Sequence, residues 1–395
     1  MNILVDKRNQ DLLSDLEDFW TRQKSFCIVS EKVNLGESKL SSELDLIPER
    51  YQRGHFVMCT SGSTGTPRLI LASMERAEAL VKQLHAVQDN LMCCEALVVL
   101  PLSYSFAFVN QWIWAHVYSR RLKYVEGFSR PAELLEFLHA ADDAMICLVG
   151  IQVPLLLQFA KGSSFPGVSR IHFAGGRFPQ NQISAIQVLF PNAKIFNNYG
   201  CAEAMPRLTI REANSSKHAS NVGPPLEGVE MMAGSSSEIL FRSDYRAVGL
   251  VESGKLILLD DDEWVPSGDL GQLNSDGSWS LKGRHSELFK RHGEKISLLR
   301  ITEDLLEALD GIRFVLYREI DAEAEEGYCM VLELSALGGE FKAALRMFRS
   351  KYPRSSWPIR IESVVSLPLL PSGKPDLAAV KQMDGKPVLW KQPHL

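Results

Sequence analysis

The segment CTSGSTGTPRLIL, residues 59–71, gathers small hydroxyl residues and two glycines between Thr60 and Thr66. One apolar run precedes it, from His55 to Cys59, and another follows, from Leu69 to Leu71. A loop of this make-up between two strands presents backbone N–H groups and hydroxyl donors with little side-chain bulk in the way. That is what a polyphosphate requires. The Walker spacing G-x-x-x-x-G-K-[ST] is absent, so the loop is of another kind. Four more motifs follow in order. NNYGCAEA (197–204) joins an aromatic, a glycine and a carboxylate at the end of a predicted strand. PSGDLG (266–271) sets an Asp in a turn, KGRHSELFKRHGEKIS (282–297) is basic and punctuated by glycine, and LPSGKPDL (370–377) puts one Lys in a tight turn.

The elements that must hold these motifs are legible as alternating textures. Between about residues 55 and 200, short apolar runs (96–100, 145–149, 170–174 and 194–198) alternate with segments of helical spacing near 106–118, 131–141, 151–161 and 179–190. Such alternation predicts an α/β layer with mostly parallel sheets. After about residue 205 come shorter strands with turn residues, VEMMA, EILFR, KLILL and SWSLKG, which predict a β-rich subdomain. From residue 299 a new pattern begins: helix 299–309, strands 312–318 and 328–334, helix 339–351 and strand 359–365. The expected fold is therefore α/β. A large N-terminal domain (1–284) carries the mostly parallel sheets and the β-rich subdomain, and a small, mobile α+β C-terminal domain spans 285–395.

Composition narrows the class. The 395 residues are 45% hydrophobic and 23% charged, with a net charge of −5, which is globular and gives no reason to expect nucleic acid or an acidic membrane surface. No stretch reaches the roughly 18 apolar residues of a membrane span, and the start lacks the apolar core of a secretory signal. Seven cysteines without any CxxC pair suggest reduced thiols and a cytoplasmic protein, with no zinc site or disulfide framework. The nine histidines are scattered without ligand spacing.

Taken together and in this order, TSGSTGTP, YGCAE, SGD, GR and the terminal GK resemble the adenylate-forming superfamily of acyl- and aryl-CoA synthetases, peptide-synthetase adenylation domains and luciferases. The resemblance runs from about residue 55 to 380. It implies that Thr60, Ser61, Gly62, Ser63, Thr64 and Gly65 embrace the β- and γ-phosphates of ATP. In HFAGGRFP, Gly175, Gly176 and Arg177 would line the adenine and acyl pocket. Asn198, Tyr199 and Gly200 would form the nucleotide wall, with Tyr199 stacked on adenine. Glu203 would hold Mg²⁺, a hard cation suited to carboxylate oxygen. Asp269 would accept both ribose hydroxyls, and Arg284 would contact ribose or phosphate. Lys374 would contact the reacting carboxylate and the α-phosphate, stabilising the charge that develops between them.

The same resemblance implies a two-step reaction. An acid and ATP give an acyl-adenylate and pyrophosphate, then a thiol attacks the mixed anhydride. The small domain would swing between steps, bringing Lys290 and Gly293 to the thiol side. Tyr104, Phe106 and Phe108 would line the acyl pocket within LPLSYSFAFVNQWIWAHVYSR, with Trp112 and Trp114 in the same segment. Amino-acid-activating members carry an Asp in that segment, and this chain has no Asp or Glu there. The expected substrate is a small apolar or aromatic carboxylic acid and not an amino acid. The thiol belongs to coenzyme A or to a phosphopantetheinyl acyl carrier protein, and the residues do not choose between them.

Several positions depart from the pattern: Arg68 replaces a Lys, Ala202 a Thr that contacts the α-phosphate, and Ser286 an Asp or Lys at the hinge. Only 59 residues precede the loop where the family carries more, so a reduced first lobe is expected, in a monomer or a homodimer whose partner covers the flank. A degenerate scaffold remains the alternative of another class, although Glu203, Asp269, Arg284 and Lys374 occur together. A luciferase-like oxygenase is the third reading.

Overall fold

Asn9 ends the first strand-to-helix turn by accepting a hydrogen bond from the Leu12 amide at 3.1 Å. This cap starts the helix Gln10–Thr21, which buries Leu12, Leu16 and Trp20 at four-residue intervals. Ser73 caps Met74–Val87 in the same way, and that helix buries Met74, Ala77, Leu80, Val81 and Leu84. A computed structural model describes residues 1–31, 37–60, 68–88, 91–176, 178–213, 220–235, 237–284, 287–309, 312–321, 325–334, 340–370 and 375–392.

The central sheet has the strand order Thr209–Glu212, Lys194–Tyr199, Val168–Phe173, Ala144–Leu148, Glu95–Val98, Arg121–Tyr124. Five of its strands are parallel, and Thr209–Glu212 joins antiparallel. Ala144–Leu148 and Val168–Phe173 are buried at every residue, as a parallel sheet covered on both faces demands. The predicted alternation of strands and helices between 55 and 200 is thus realised. The segment expected as one helix over 106–118 is interrupted, however. Its residues Phe108–Ile113 form a π-helical turn between α-helical Ser105–Ala107 and Trp114–Val117. The extra residue in that turn brings both Asn110 and Gln111 into the interior.

A second sheet begins with the parallel strands Asn2–Asp6, Phe26–Ser30 and His55–Thr60, none of which except the last stood out in the sequence. Arg68–Ser73 then pairs antiparallel with His55–Thr60, placing Thr60 opposite Arg68. The apolar runs flanking the expected phosphate loop are therefore two arms of one hairpin. The run KLILL was expected in the β-rich subdomain. Instead, Lys255–Leu258 pairs with Gly249–Glu252, which lies beside Arg68–Ser73 on the edge of this second sheet. Burial decides the matter: Gly249, Leu250 and Val251 are buried, and their partner strand covers an otherwise open edge.

The β-rich part is a five-stranded antiparallel sheet in the order Asn221–Gly223, Trp279–Arg284, Val265–Leu273, Glu238–Ser243, Val229–Ala233. Beyond it, the hairpin Leu288–Arg291 and Glu294–Ser297 leads into the helix Leu298–Ala308. The sheet that follows orders Phe314–Ile320, Glu326–Glu333, Arg360–Val364 and Val388–Lys391, with Glu340–Lys351 as its second long helix. A core containing Ile296, Leu305, Phe348 and Ile361 serves this part, separate from the large core of the preceding sheets. No helix among the described residues is long and apolar enough to cross a membrane.

Trp20, Phe26, Phe56, Phe108 and Trp112 meet where the two sheets pack. Phe108 stacks on Trp112 with centroids 5.1 Å apart and meets the edges of Trp20 and Phe26 at 6.0 and 6.2 Å. With no exposed surface, Phe108 is a core residue and not the pocket lining expected of it. Phe108→Ala should cost about 3–5 kcal/mol of stability, read as a shift in urea midpoint. An unchanged midpoint with altered acid preference would return Phe108 to the pocket.

Candidate active site

The strand Lys194–Tyr199 delivers Tyr199 to the end of the central sheet, and a 3-10 turn over Ala202–Ala204 then carries Glu203 back into the interior. Gly200 between them is obligatory. A Cβ there would sit 2.1 Å from the Pro206 carbonyl oxygen, so the loop closes on itself only without a side chain. Asn198 donates to the carbonyls of Phe173 and Phe196 at 3.0 and 3.3 Å, tying adjacent strand ends together.

One carboxylate organises the wall that faces Tyr199. The register of Val265–Leu273 against Trp279–Arg284 sets Asp269 opposite Arg284. Arg284 Nε donates to Asp269 Oδ1 at 2.7 Å, and the Tyr199 hydroxyl donates to Asp269 Oδ2 at 3.1 Å. The Ser267 hydroxyl accepts the Asp269 amide at 3.1 Å. Burial and the Asp269 charge push the Tyr199 phenol well above its usual range, so it stays a hydrogen-bond donor. Burial works against the Arg284 charge, but Asp269 and Glu287 outweigh it and raise its pKa. Glu287 is itself pushed up by burial, with its carboxylate accepting the Arg284 amide at 3.1 Å.

The other end lies at the hairpin of the second sheet. Arg68 Nη1 pairs with Glu203 Oε1 at 3.1 Å, and its Nε stands 3.8 Å from Glu252 Oε1. The Thr60 hydroxyl donates to the Arg68 carbonyl at 3.4 Å. The expected phosphate-side groups Thr60, Arg68 and Glu203 thus come together. Glu252, a second carboxylate on Arg68, was not foreseen, because nothing local to VESGK marks it. Cys201 lies between the two ends; burial, followed by the charges of Glu203 and Asp269, holds its thiol well above the ordinary range and keeps it neutral. Ser61, Gly62, Ser63, Thr64 and Gly65 lie outside the described residues, as do Arg177, Ser286 and Lys374.

A cleft of about 1360 Å³ adjoins this wall. Val149, Gly175, Gly176 and Phe178 line it on the side of the central sheet, and Arg284, Glu287 and Pro375 also border it. Gly175 has φ +73°, and a Cβ on Gly176 would meet nothing within 4 Å, so this strand end leaves room for a ligand. Lys290 and Gly293 are not among the cleft-lining residues. Lys290 is exposed on the hairpin, and Gly293, φ +82°, turns it together with His292. Between them Arg291 is buried, pairing with Asp321 at 3.0 Å. Tyr104 is half-buried and meets Phe106 edge-on at 6.3 Å, while Phe106 is fully buried beneath the Arg207 guanidinium at 5.1 Å. Burial drives the Tyr104 phenol upward despite nearby Arg207. Below lies His172, stacked on Phe196 at 5.0 Å and kept neutral by burial and by Arg207 and Arg170. Among the described residues, no three His, Cys, Asp or Glu side chains converge as a self-sufficient metal site.

The sequence profile of the AMP-binding enzyme family matches residues 15–233. A 2-hydroxy-7-methoxy-5-methyl-1-naphthoate–CoA ligase from Streptomyces carzinostaticus is 21% identical over 368 residues, covering 88% of this chain and 66% of the relative. A medium-chain-fatty-acid–CoA ligase from Ectopseudomonas oleovorans is 24% identical over 270 residues, covering 61% of this chain and 48% of the relative. The chain thus spans just under two thirds of the first relative's length and about half of the second's. Among solved structures, O-succinylbenzoate coenzyme A synthetase from Bacillus subtilis, in complex with AMP, superposes with TM-score 0.71 at 16% identity. That match covers 100% of this chain and 84% of the other, and it shows a common fold.

Two outcomes are expected of this geometry. Asp269→Asn removes the negative charge and one of the two oxygens that accept from Tyr199 and Arg284, and ATP affinity measured by calorimetry should fall about 10- to 100-fold; an unchanged affinity would separate Asp269 from the nucleotide. His172 has a folded-state pKa below its unfolded value, so the unfolded chain binds the extra proton. Stability should therefore decline as pH falls through the ordinary histidine range near 6.5, by about 1 kcal/mol at one unit lower. His172→Phe should abolish that share of the pH dependence in urea titrations.

Proposed function

The chain belongs to the AMP-binding enzymes, and on that footing we propose that it joins a small carboxylic acid to a thiol in two steps. First, an oxygen of the acid bonds to the α-phosphorus of ATP, and the bond from that phosphorus to the bridging oxygen breaks to release pyrophosphate. Second, the sulfur of coenzyme A bonds to the acyl carbon, AMP departs with the anhydride oxygen, and the thiol proton is lost to solvent. The observation that carries this reading is the hydrogen-bonded chain Tyr199–Asp269–Arg284 beside the cleft.

In this reading Tyr199 offers its ring to adenine and Asp269 accepts the ribose hydroxyls, with Arg284 fixing that carboxylate. Arg68 and Glu203, paired with each other at the end of the phosphate-loop hairpin, are the groups a triphosphate would engage. A Mg²⁺ ion fits the Glu203 carboxylate, because it binds through one or two carboxylates and completes its shell with phosphate and water; its charge would neutralise the phosphates. Gly175 and Gly176 give the adenylate room. Lys374 precedes Pro375, which lines the cleft, and its ammonium would stabilise the charge developing between carboxylate and α-phosphate. A boundary near residue 285 would let the C-terminal part reorient between steps and bring Lys290 and Gly293 toward the thiol.

The acid would have an apolar or aromatic body. The inward polar residues of the helical segment after Tyr104 are Ser105, Asn110 and Gln111, a hydroxyl and two amides that give no counter-charge to an α-ammonium. ATP–pyrophosphate exchange with Mg²⁺ across apolar, aromatic and amino acids tests the reading, with exchange expected for an acid lacking an α-amino group. Lys374→Ala should lower exchange by about 100-fold or more while sparing thioester formation from supplied acyl-adenylate. Equal loss of both half-reactions would overturn the role of Lys374, and absence of exchange with every acid would overturn the activity.

A further inference from the structure

Beneath the expected acyl pocket lies a cation without a counter-charge. Arg207 has no exposed surface. Its Nη2 donates to Asn110 Oδ1 at 3.0 Å, and its guanidinium covers the Phe106 ring, but its Nε and Nη1 are buried with no hydrogen-bond partner. Burial pushes its pKa down to about 10, which still leaves it charged near neutral pH. Arg246, at 1% exposure, reaches carbonyls and Asp261, and Arg291, at 4%, reaches Asp321 and a carbonyl. Arg211, at 9% exposure, resembles Arg207 in having one amide acceptor, Gln180, and an unpartnered Nε and Nη1. Among the described residues, no carboxylate pairs with Arg207.

The surroundings make this a prepared site and not a chance orphan. The amide oxygen of Asn110 already accepts from Gln88 at 3.1 Å as well as from Arg207, and its Nδ2 donates to Cys147 Sγ at 3.3 Å. Asn110 is therefore held in place by both ends of its amide. Both ring nitrogens of His172 are buried without partners beside Arg207. Cys147 and His172 face each other across paired strands. Two residues beyond Cys147, roughly 7 Å further along the same face, Val149 lines the cleft. The Arg207 backbone also touches the nucleotide loop, since a Cβ on Gly200 would lie 2.9 Å from its Cα.

A buried guanidinium left unpaired costs several kcal/mol, and a ligand carboxylate placed against its free N–H groups would relieve that cost. We propose that Arg207, held by Asn110 against Phe106 of the expected acyl pocket, selects an acid whose far end carries a second carboxylate. This inference rests on the acid-activating reading above and deepens it: the substrate has an apolar body between two anionic ends, one for adenylation and one for Arg207. Arg207 is a specificity-determining residue in this scheme and takes no part in bond making.

Paired acids that differ only at the far end provide the test: hexanoate against adipate, and phenylacetate against its para-carboxy derivative. Binding is measured by calorimetry and turnover by ATP–pyrophosphate exchange, for wild type, Arg207→Lys and Arg207→Met. The diacid of at least one pair should bind about 10- to 100-fold more tightly than its monoacid. That preference should appear in KM more than in kcat, collapse in Arg207→Met and be partly restored in Arg207→Lys. Equal binding of monoacid and diacid by wild type, or a preference retained in Arg207→Met, overturns the inference. If Arg207→Met fails to fold by circular dichroism, the wild-type ratio and its change in Arg207→Lys decide. Arg207-dependent diacid binding without any exchange would uphold the inference and overturn only the acid-activating reading.

Discussion

A parallel sheet buried on both faces has nowhere to put polar chemistry except at its strand ends, and this constraint shapes the whole chain. Ala144–Leu148 and Val168–Phe173 are apolar or internally satisfied along most of their length, and both are covered by helices. The residues that can meet a ligand therefore cluster just beyond them: Val149, Gly175 and Gly176, with Tyr199 ending the next strand. Gly200 is the point where this emerging chain turns against Pro206 with no space for a Cβ. The neighbouring sheets then add what the central sheet cannot supply, a phosphate-loop hairpin from one and Asp269 with Arg284 from another.

The site is electrostatically cross-braced. Asp269 satisfies Arg284 and Tyr199 at once, and Arg68 is shared by Glu203 and Glu252. Each of these charged groups already has a partner, so under the proposed function a nucleotide would exchange one set of partners for another instead of solvating bare charges. Arg207 follows the opposite logic. It is fully enclosed, carries its charge beside neutral His172 and amide-bearing Asn110, and keeps two N–H groups without acceptors. That contrast within one molecule separates charges poised for exchange from a charge awaiting its partner.

Local order was legible wherever burial repeats over a few residues. The strands around 145–149, 170–174 and 194–198 were readable because fully buried strands are continuous apolar runs, and the phosphate hairpin because its loop is bounded by two of them. Thr60, Gly175, Tyr199, Glu203 and Asp269 stood out by a different signal, the order and spacing of the motifs that carry them. The first two strands escaped notice because Asn2–Asp6 is half exposed and Phe26–Ser30 is only five residues long. The π-helical turn at Phe108–Ile113 escaped because an inserted residue changes the helical period without changing the composition.

By itself, then, the sequence determined the α/β class, the order of the motifs and the residue types at the expected nucleotide end, because each depends on neighbours within a few positions. Which distant groups meet was decided only by the tertiary structure. Lys255–Leu258 closes the edge of the second sheet instead of joining the β-rich one, Phe108 belongs to the aromatic core, and Arg68 finds Glu203 and Glu252. Arg207 reads in sequence as one more surface cation after a proline. It becomes a buried charge only because the loop beyond Gly200 folds back over Phe106, and long-range packing of that kind leaves no periodic trace along the chain.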